Sequence, residues 1–505
     1  MPEKTKTDRE RSSDVPKYMW AALAFLIVFV YFFGLTIPFL GPDEARYAQV
    51  AREMFDRGDW VTPTLGDFHW FEKPALLYWL QIASYHLFGV NEFAARFGPA
   101  AFGLGTIASL WMLGRRSNFE NASQFANFLA LIAASTLGIL VFSRGASFDI
   151  IITFPITAAL VSFYIYDHPE PRSSKRSLFP LVLFYLFVGL SLLAKGLIGI
   201  VFPFAIVAFY YLISLRLPGR QFLVSLIWGT LLAVVVASIW YWPMYQRHGY
   251  EFINEFFIQH HFQRFTSNKY QHPQPFYFFF WVLPLMTLPW LPFFAVALWR
   301  QVRSLISGRS DAGDQTGKRS LQRFAIAWLL VPLVFFSFSG SKLPGYILPA
   351  VPAAIILTAV FAFELAQKSI KWRRSILGLS ITTFLFIIGL LIFALPRFAE
   401  TDSVKSLIAA ANERGYGEAH VLGFHTVSHN AEFYAAGRLL RDETGKQRKL
   451  YNLAELNSAL ASQQGRPALV LVPLRYLENV TRNLNSTSEF IKDNGELAIV
   501  AVTAK

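Results

Sequence analysis

The chain has 505 residues, 54% of them hydrophobic and 16% aromatic, and its mean hydropathy of +0.38 is far above that of an ordinary water-soluble domain. A formal charge of +13 would suit nucleic acid if it lay on one face, but the basic residues are dispersed between alternate apolar runs, as the positive-inside rule expects of a membrane protein. With no cysteine in the chain, disulfides, thiolate metal sites and a cysteine nucleophile are excluded.

Residues 1–17 read as a basic cytoplasmic tail, followed by an apolar run from Tyr18 to Leu40 long enough to span a bilayer. No small-residue cleavage site follows that run, so it reads as an uncleaved anchor. Further candidate spans fall at about 93 to 113, 122 to 142, 149 to 166, 178 to 194, 196 to 215, 222 to 242, 276 to 299, 323 to 340, 345 to 367 and 376 to 395, about eleven in all. With the N-terminus cytoplasmic, the clusters at Arg115-Arg116, Arg172/Lys175/Arg176 and Arg216/Arg220 fall inside, with a flexible connector from Arg300 to Arg323 and the group Lys368 to Arg374. The loop 41 to 92, Arg144 to Ser147, the loop 243 to 275, the turn Ser341 to Gly345 and everything after Leu395 then face outward.

Within the loop 41 to 92, Pro42 can open a helix that Gly58 ends, with Tyr47, Ala51, Met54 and Phe55 recurring on one side. Such a helix is expected to rest that stripe on lipid headgroups and to turn Glu44, Gln49, Glu53 and Asp56 toward water. A second short element, Pro74 to Phe88, carries Trp79 and Tyr85, residues that favour the same depth. From 396 to 505 the composition turns polar and short apolar runs alternate with amphipathic ones, which predicts a small soluble α/β domain on the outer side.

Ionisable residues recur at the outer ends of the spans. Asp43, Arg46 and Tyr47 are spaced to share one side of a helix, Lys73 lies among aromatics, Asp149 and Lys195 stand at span ends, and Arg264 and Tyr346 follow in later loops. Each alone has an ordinary explanation: a helix cap for Asp43 and Asp149, snorkelling for the lysines, a solvated basic loop around Arg264. Together they share one membrane face, where cations can neutralise a lipid phosphate and a carboxylate can deprotonate an acceptor. No Asp-x-Asp triplet, P-loop, Gly-x-Gly-x-x-Gly or His-Glu-x-x-His occurs. The missing triplet favours a lipid-linked over a nucleotide-linked sugar donor.

Four motifs in order, Gly41-Pro42-Asp43-Glu44-Ala45-Arg46-Tyr47, Phe71-Glu72-Lys73-Pro74, His261-Phe262-Gln263-Arg264-Phe265 and Lys342-Leu343-Pro344-Gly345-Tyr346-Ile347-Leu348-Pro349, resemble the bacterial aminoarabinose transferases of lipid A. More broadly they resemble the protein mannosyltransferase superfamily, over roughly residues 18 to 395. The resemblance implies a polytopic α-helical membrane protein of the GT-C glycosyltransferase architecture, with about 11 to 13 transmembrane helices and periplasmic interfacial helices. It implies an inner-membrane enzyme moving a sugar, with inversion, from a polyprenyl (undecaprenyl) phosphate to lipid A, another glycolipid or a protein on the periplasmic side. By the same matching Asp43 is the expected general base, with Asp149 as a second catalytic carboxylate. Arg46, Lys73, Lys195, Arg264 and Tyr346 are expected to hold the donor phosphate, and Glu44, Tyr47, Glu72 and His261 to line the sugar or acceptor pocket. No cofactor is required, nucleic acid is not a partner, and a divalent ion is left open. Two other readings are a flippase or transporter of a lipid-linked sugar, and a C-terminal binding module on a passive membrane scaffold.

Overall fold

A computed structural model describes residues 15–117, 119, 121–169, 177–263, 274–307, 316–483 and 485–505. Most of the basic tail, the Arg172 to Arg176 cluster and the centre of the 300–323 connector lie outside the described residues; the connector's flanks are helical, so it is shorter than the sequence suggests.

The helical part runs α1 (Lys17–Phe32), α2 (Gly41–Arg57), a hairpin β1 (Thr64–Leu65) and β2 (Phe68–His69), α3 (Leu76–Phe88), α4 (Glu92–Arg115), α5 (Ala122–Ser135), α6 (Leu137–Phe142) and α7 (Phe148–Asp167). It continues with α8 (Phe179–Lys195), α9 (Ile198–Ile213), α10 (Arg220–Phe252), a π-helical run Ile253–Gln263, α11 (Phe278–Met286), α12 (Leu291–Ser307) and α13 (Thr316–Ser337). A 3-10 turn Pro344–Ala350 then leads into α14 (Val351–Lys368), followed by α15 (Ile370–Gly389) and α16 (Leu395–Asp402). Among the described residues six helices are long and apolar enough to cross a membrane, and four more apolar helices are shorter.

Burial explains the sequence character of these helices. Nearly every residue of α7 and α14 is buried, which requires helices apolar all round. In contrast α10 exposes Leu223, Ile227, Leu231, Val235 and Ile239 at helical spacing, a stripe suited to contact with lipid chains. Three of the expected spans are interrupted. The first ends at Phe32, and residues 33–40 unwind because Arg144 and Arg96 supply the hydrogen bonds that helix would otherwise supply: Arg144 donates to the Val30 and Phe33 carbonyls at 2.5 Å, and Arg96 to those of Leu35 at 3.0 Å, Ile37, and Pro38 at 3.2 Å. The run 276 to 299 breaks between Met286 and Leu291, where Pro284, Pro289 and Pro292 remove helical donors. There the Leu288 carbonyl accepts instead from the Leu137 amide, at 2.8 Å, across the matching break between α5 and α6.

The C-terminal part comprises α17 (Lys405–Ala411), β3 (Val421–Phe424), α18 (Ala431–Tyr434), β4 (Lys449–Leu450), α19 (Leu453–Ala461), β5 (Ala468–Pro473), α20 (Leu477–Thr481), β6 (Ser486–Asp493) and β7 (Leu497–Ala504). Its sheet has the order β4-β3-β5-β7-β6, with β3 parallel to β4 and β5 and the remaining pairs antiparallel. Apolar clusters cover both faces of the sheet, which accounts for the continuous run Ala-Leu-Val-Leu-Val of β5. The polar edge strand β6 has no counterpart among the runs read from sequence.

Candidate active site at one end of the bundle

The site is organised around an ion pair that sequence spacing does not reveal. Glu44, in the first turn of α2, accepts from Arg96 of α4 at 2.7 and 2.9 Å, from the Ala146 amide at 2.7 Å and from the Leu40 amide at 3.2 Å. Burial alone would raise its pKa, but the Arg96 guanidinium and the two amides hold the carboxyl below the ordinary glutamate value. Glu44 therefore does not face water or an open pocket: its acceptor positions are taken by protein. Gln49 is likewise buried, and Glu53 is occupied by the Thr64 hydroxyl at 2.6 Å and the Gly66 amide at 2.7 Å, pinning the β1–β2 hairpin to α2. The apolar stripe is real, but Tyr47, Ala51 and Met54 pack into the protein core rather than on headgroups. The helix is amphipathic toward the bundle, not toward the lipid.

That seating leaves Asp43 at the exposed N-terminal end of α2, paired with Arg46 at 3.0 Å, the carboxylate side chain 51% exposed. The Arg46 guanidinium stands 5.5 Å from the centre of the Trp70 ring. Glu72 and Lys73 pair at 2.9 Å just beyond. Tyr47 and Tyr78 are buried, each packing edge-on against Phe148, at 4.9 and 5.4 Å. Burial, then the nearby Glu72 carboxylate, push both hydroxyls well above the ordinary tyrosine value, so both stay protonated donors.

Phe148 also links this cluster to a second one, since Asp149 follows it in the first turn of α7. Asp149 pairs with Lys195, the last residue of α8, at 2.5 Å, and the Lys195 ammonium lies 4.9 Å from the Tyr346 ring centre. Gly345 is what permits this approach: a Cβ there would stand 2.5 Å from the Asp149 carboxylate carbon and 2.8 Å from the Phe142 ring. Lys342, buried in the same turn, donates to the Ser339 carbonyl at 2.6 Å and the Gln274 carbonyl at 3.0 Å, and burial lowers its pKa.

Asp43, Arg46, Tyr47, Glu72, Lys73, Asp149, Lys195 and Tyr346 thus share one end of the bundle, joined through Phe148. Arg264 and the side chain of His261 lie outside the described residues. Each of Asp43, Glu44, Glu72 and Asp149 is already matched by a cation, so the site is nearly neutral before a ligand arrives. Arg96 was overlooked among the candidate residues, although an arginine inside an otherwise apolar run is itself a signal.

The C-terminal part docks onto this end through α17 and α18. Tyr434 donates to Glu92 at 2.9 Å and accepts from the Phe39 amide at 2.9 Å, Lys405 pairs with Glu92 at 2.7 Å, and Phe433 packs edge-on against Phe39 at 4.9 Å. Phe39 and Glu92 bracket α2 and α3, so the dock braces the loop that carries Asp43 and Lys73.

Comparison with known proteins agrees with this architecture. The family described as dolichyl-phosphate-mannose-protein mannosyltransferase matches residues 20–248. An undecaprenyl phosphate-alpha-4-amino-4-deoxy-L-arabinose arabinosyl transferase of Yersinia enterocolitica is 30% identical over 429 residues, 82% of this chain and 73% of that protein. The protein of the same description from Serratia proteamaculans is 34% identical over 354 residues, 68% of this chain and 60% of that one. Among solved structures, ArnT from Cupriavidus metallidurans bound to undecaprenyl phosphate superposes with a TM-score of 0.79 at 23% identity, covering 96% of this chain and 98% of that chain. The oligosaccharyltransferase AglB from Archaeoglobus fulgidus gives 0.51 at 12% identity, covering 91% of this chain and 70% of that chain. The fold is the GT-C glycosyltransferase fold.

Proposed function

From the premise that this chain belongs to the family of undecaprenyl phosphate-aminoarabinose arabinosyl transferases, we propose that it transfers a sugar from undecaprenyl phosphate to lipid A, on the periplasmic face of the inner membrane, with Asp43 as general base. The chain is a multi-pass membrane glycosyltransferase that uses a lipid-phosphate-linked sugar; acceptor, face and base are the proposal. The observation that carries it is the gathering of Asp43–Arg46, Glu72–Lys73 and Asp149–Lys195 at one end of an apolar bundle, beside the ring of Tyr346.

The chemistry follows from the pairing. In transfer, the acceptor oxygen bonds to the anomeric carbon as the bond from that carbon to the phosphate oxygen breaks, releasing a phosphate monoester. Charge builds on that leaving oxygen, where preorganised ammonium and guanidinium groups are most effective. Lys73 and Lys195, each held beside a carboxylate, would turn to that phosphate. Arg46, drawn toward the same anion, would free the Asp43 carboxylate to take the proton that the acceptor hydroxyl gives up. Asp149, paired with Lys195, would orient that ammonium, and its expected part as a second catalytic carboxylate stays a proposal. Arg264 and His261 keep their expected parts as proposals.

Lipid A from cells with and without the gene, read by mass spectrometry, tests the acceptor. Asp43→Asn tests the base: transfer should fall at least a hundredfold, about 2.7 kcal/mol of lost barrier reduction, with donor binding retained. Full activity in that variant would refute the assignment. Vesicles in which the protein moves lipid-linked sugar across the bilayer with no acceptor modified would favour a flippase instead.

A further inference from the structure

Away from the paired carboxylates, three metal-ligating side chains converge where the β1–β2 hairpin meets the end of α10. His69, His248 and Glu251 each offer one ligand atom, and the three atoms lie within 4.8 Å of one another. His69 Nδ1 stands 3.0 Å from Glu251 Oε1, and the two imidazole centres are 4.7 Å apart. Two histidines and one carboxylate are the donor set that takes a zinc-like ion while leaving a coordination position open.

The surroundings have the form of a support for such a site. His248 Nε2 is 2.9 Å from the Thr62 hydroxyl; with the proton on that nitrogen, Nδ1 keeps a lone pair for a metal. Phe71 stacks on His69 at 4.8 Å and leans on His248 at 5.0 Å, so one buried ring fixes the attitude of both imidazoles. Between His248 and Glu251 the helix is broken at Gly249, whose φ of +52° and ψ of −127° are strained for any other residue. Asp59–Arg247 at 2.8 Å, and the Trp240 indole donating to the Val61 carbonyl at 2.9 Å, hold the same two elements together without a metal. The site can therefore be formed before an ion arrives. Ligand atoms around a tetrahedral ion lie about 3.3 Å apart and the three here lie within 4.8 Å, so closure asks for side-chain shifts of about 1.5 Å or less.

We infer that His69, His248 and Glu251 form a binding site for a divalent transition-metal ion of the zinc class, which clamps the loop bearing Glu72 and Lys73 to the segment that leads from α10 toward His261 and Arg264. The site stands on its own geometry and does not depend on which sugar or acceptor the enzyme uses. Its open position would hold water.

Tag-free protein in detergent, stripped with a chelator and dialysed, should take up about one cobalt(II) ion per chain. Visible d–d absorption bands of a low-coordinate nitrogen- and oxygen-ligated ion should appear, and one equivalent of zinc should quench them. Glu251→Gln and His69→Ala should each weaken binding at least tenfold, read by isothermal titration, with an unchanged elution volume in gel filtration. Thr62→Val should weaken it less while leaving the bands in place. Absence of the bands in wild-type protein would overturn the inference without recourse to any variant. So would stoichiometric binding that survives Glu251→Gln and His69→Ala unchanged, which would place the ion elsewhere.

Discussion

Replacing Glu44 by glutamine separates a structural carboxylate from one that touches substrate. The substitution keeps size and shape but removes the counter-charge of Arg96, whose side chain is only 5% exposed. Removing one partner of a buried ion pair costs about 3–5 kcal/mol. Arg96 keeps its bonds to the Leu35, Ile37 and Pro38 carbonyls, and the glutamine oxygen can still accept one bond, so the loss should be nearer 2–3 kcal/mol, on the order of two neutral hydrogen bonds plus a stranded charge. Because membrane proteins of this size seldom refold, the assay is the half-life of the monodisperse gel-filtration peak at a fixed elevated temperature. Glu44→Gln should shorten it at least tenfold, and Glu44→Gln combined with Arg96→Leu should lose less than the two single variants added together, a coupling that only contacting residues show. Transfer measured before any loss of folded protein should remain within a fewfold of wild type. A variant as durable as wild type yet inactive would refute the reasoning and return Glu44 to the sugar pocket.

Three further outcomes follow from other contacts. Gly345→Ala should displace the Asp149 carboxylate from Lys195, lowering transfer at least tenfold, about 1.4 kcal/mol, at near-normal expression; unchanged kinetics would show that the turn relaxes around a methyl group. Tyr434→Phe strips Glu92 of a donor and the Phe39 amide of an acceptor, about 1–3 kcal/mol at the dock, and should speed proteolysis between α16 and α17; equal cleavage rates would dismiss the brace. The folded Glu44 carboxyl ionises at lower pH than in the unfolded chain, so its stabilisation is complete above about pH 4.5 and fades as pH falls through the folded value. Stability of wild type should therefore fall more steeply below pH 4.5 than that of Glu44→Gln; parallel curves would contradict the pairing.

Much of this architecture was legible because lipid imposes length and polarity on every span. The runs that become α4, α7, α8, α9 and α14 stand within a few residues of where hydropathy sets them. The helix Gly41–Arg57 was readable from Pro42 and Gly58, whose backbone preferences are local. What failed were features decided by distant partners. Residues 33–40 look like helix until Arg96 and Arg144 are known to take their carbonyls. Glu44 looks solvent-facing because amphipathicity gives the direction of an apolar face, not what covers the other. Asp149 and Lys195 were each identified, but nothing in their spacing pairs them, and the reason for Gly345 appears only when that pair is seen. The strand Ser486–Asp493 escaped because an edge strand needs little hydrophobic patterning.

The unwound stretch after Phe32 has a consequence for biogenesis. Its carbonyls emerge from the ribosome well before Arg96 and Arg144, and the Phe39 amide waits for Tyr434, nearly four hundred residues later. Asp43, the proposed general base, therefore sits on an element that reaches its final seat only after the segment around Tyr434 has been made and has folded back. A chain stalled midway through translation would hold apolar helices long enough to cross a membrane yet carry an unassembled centre.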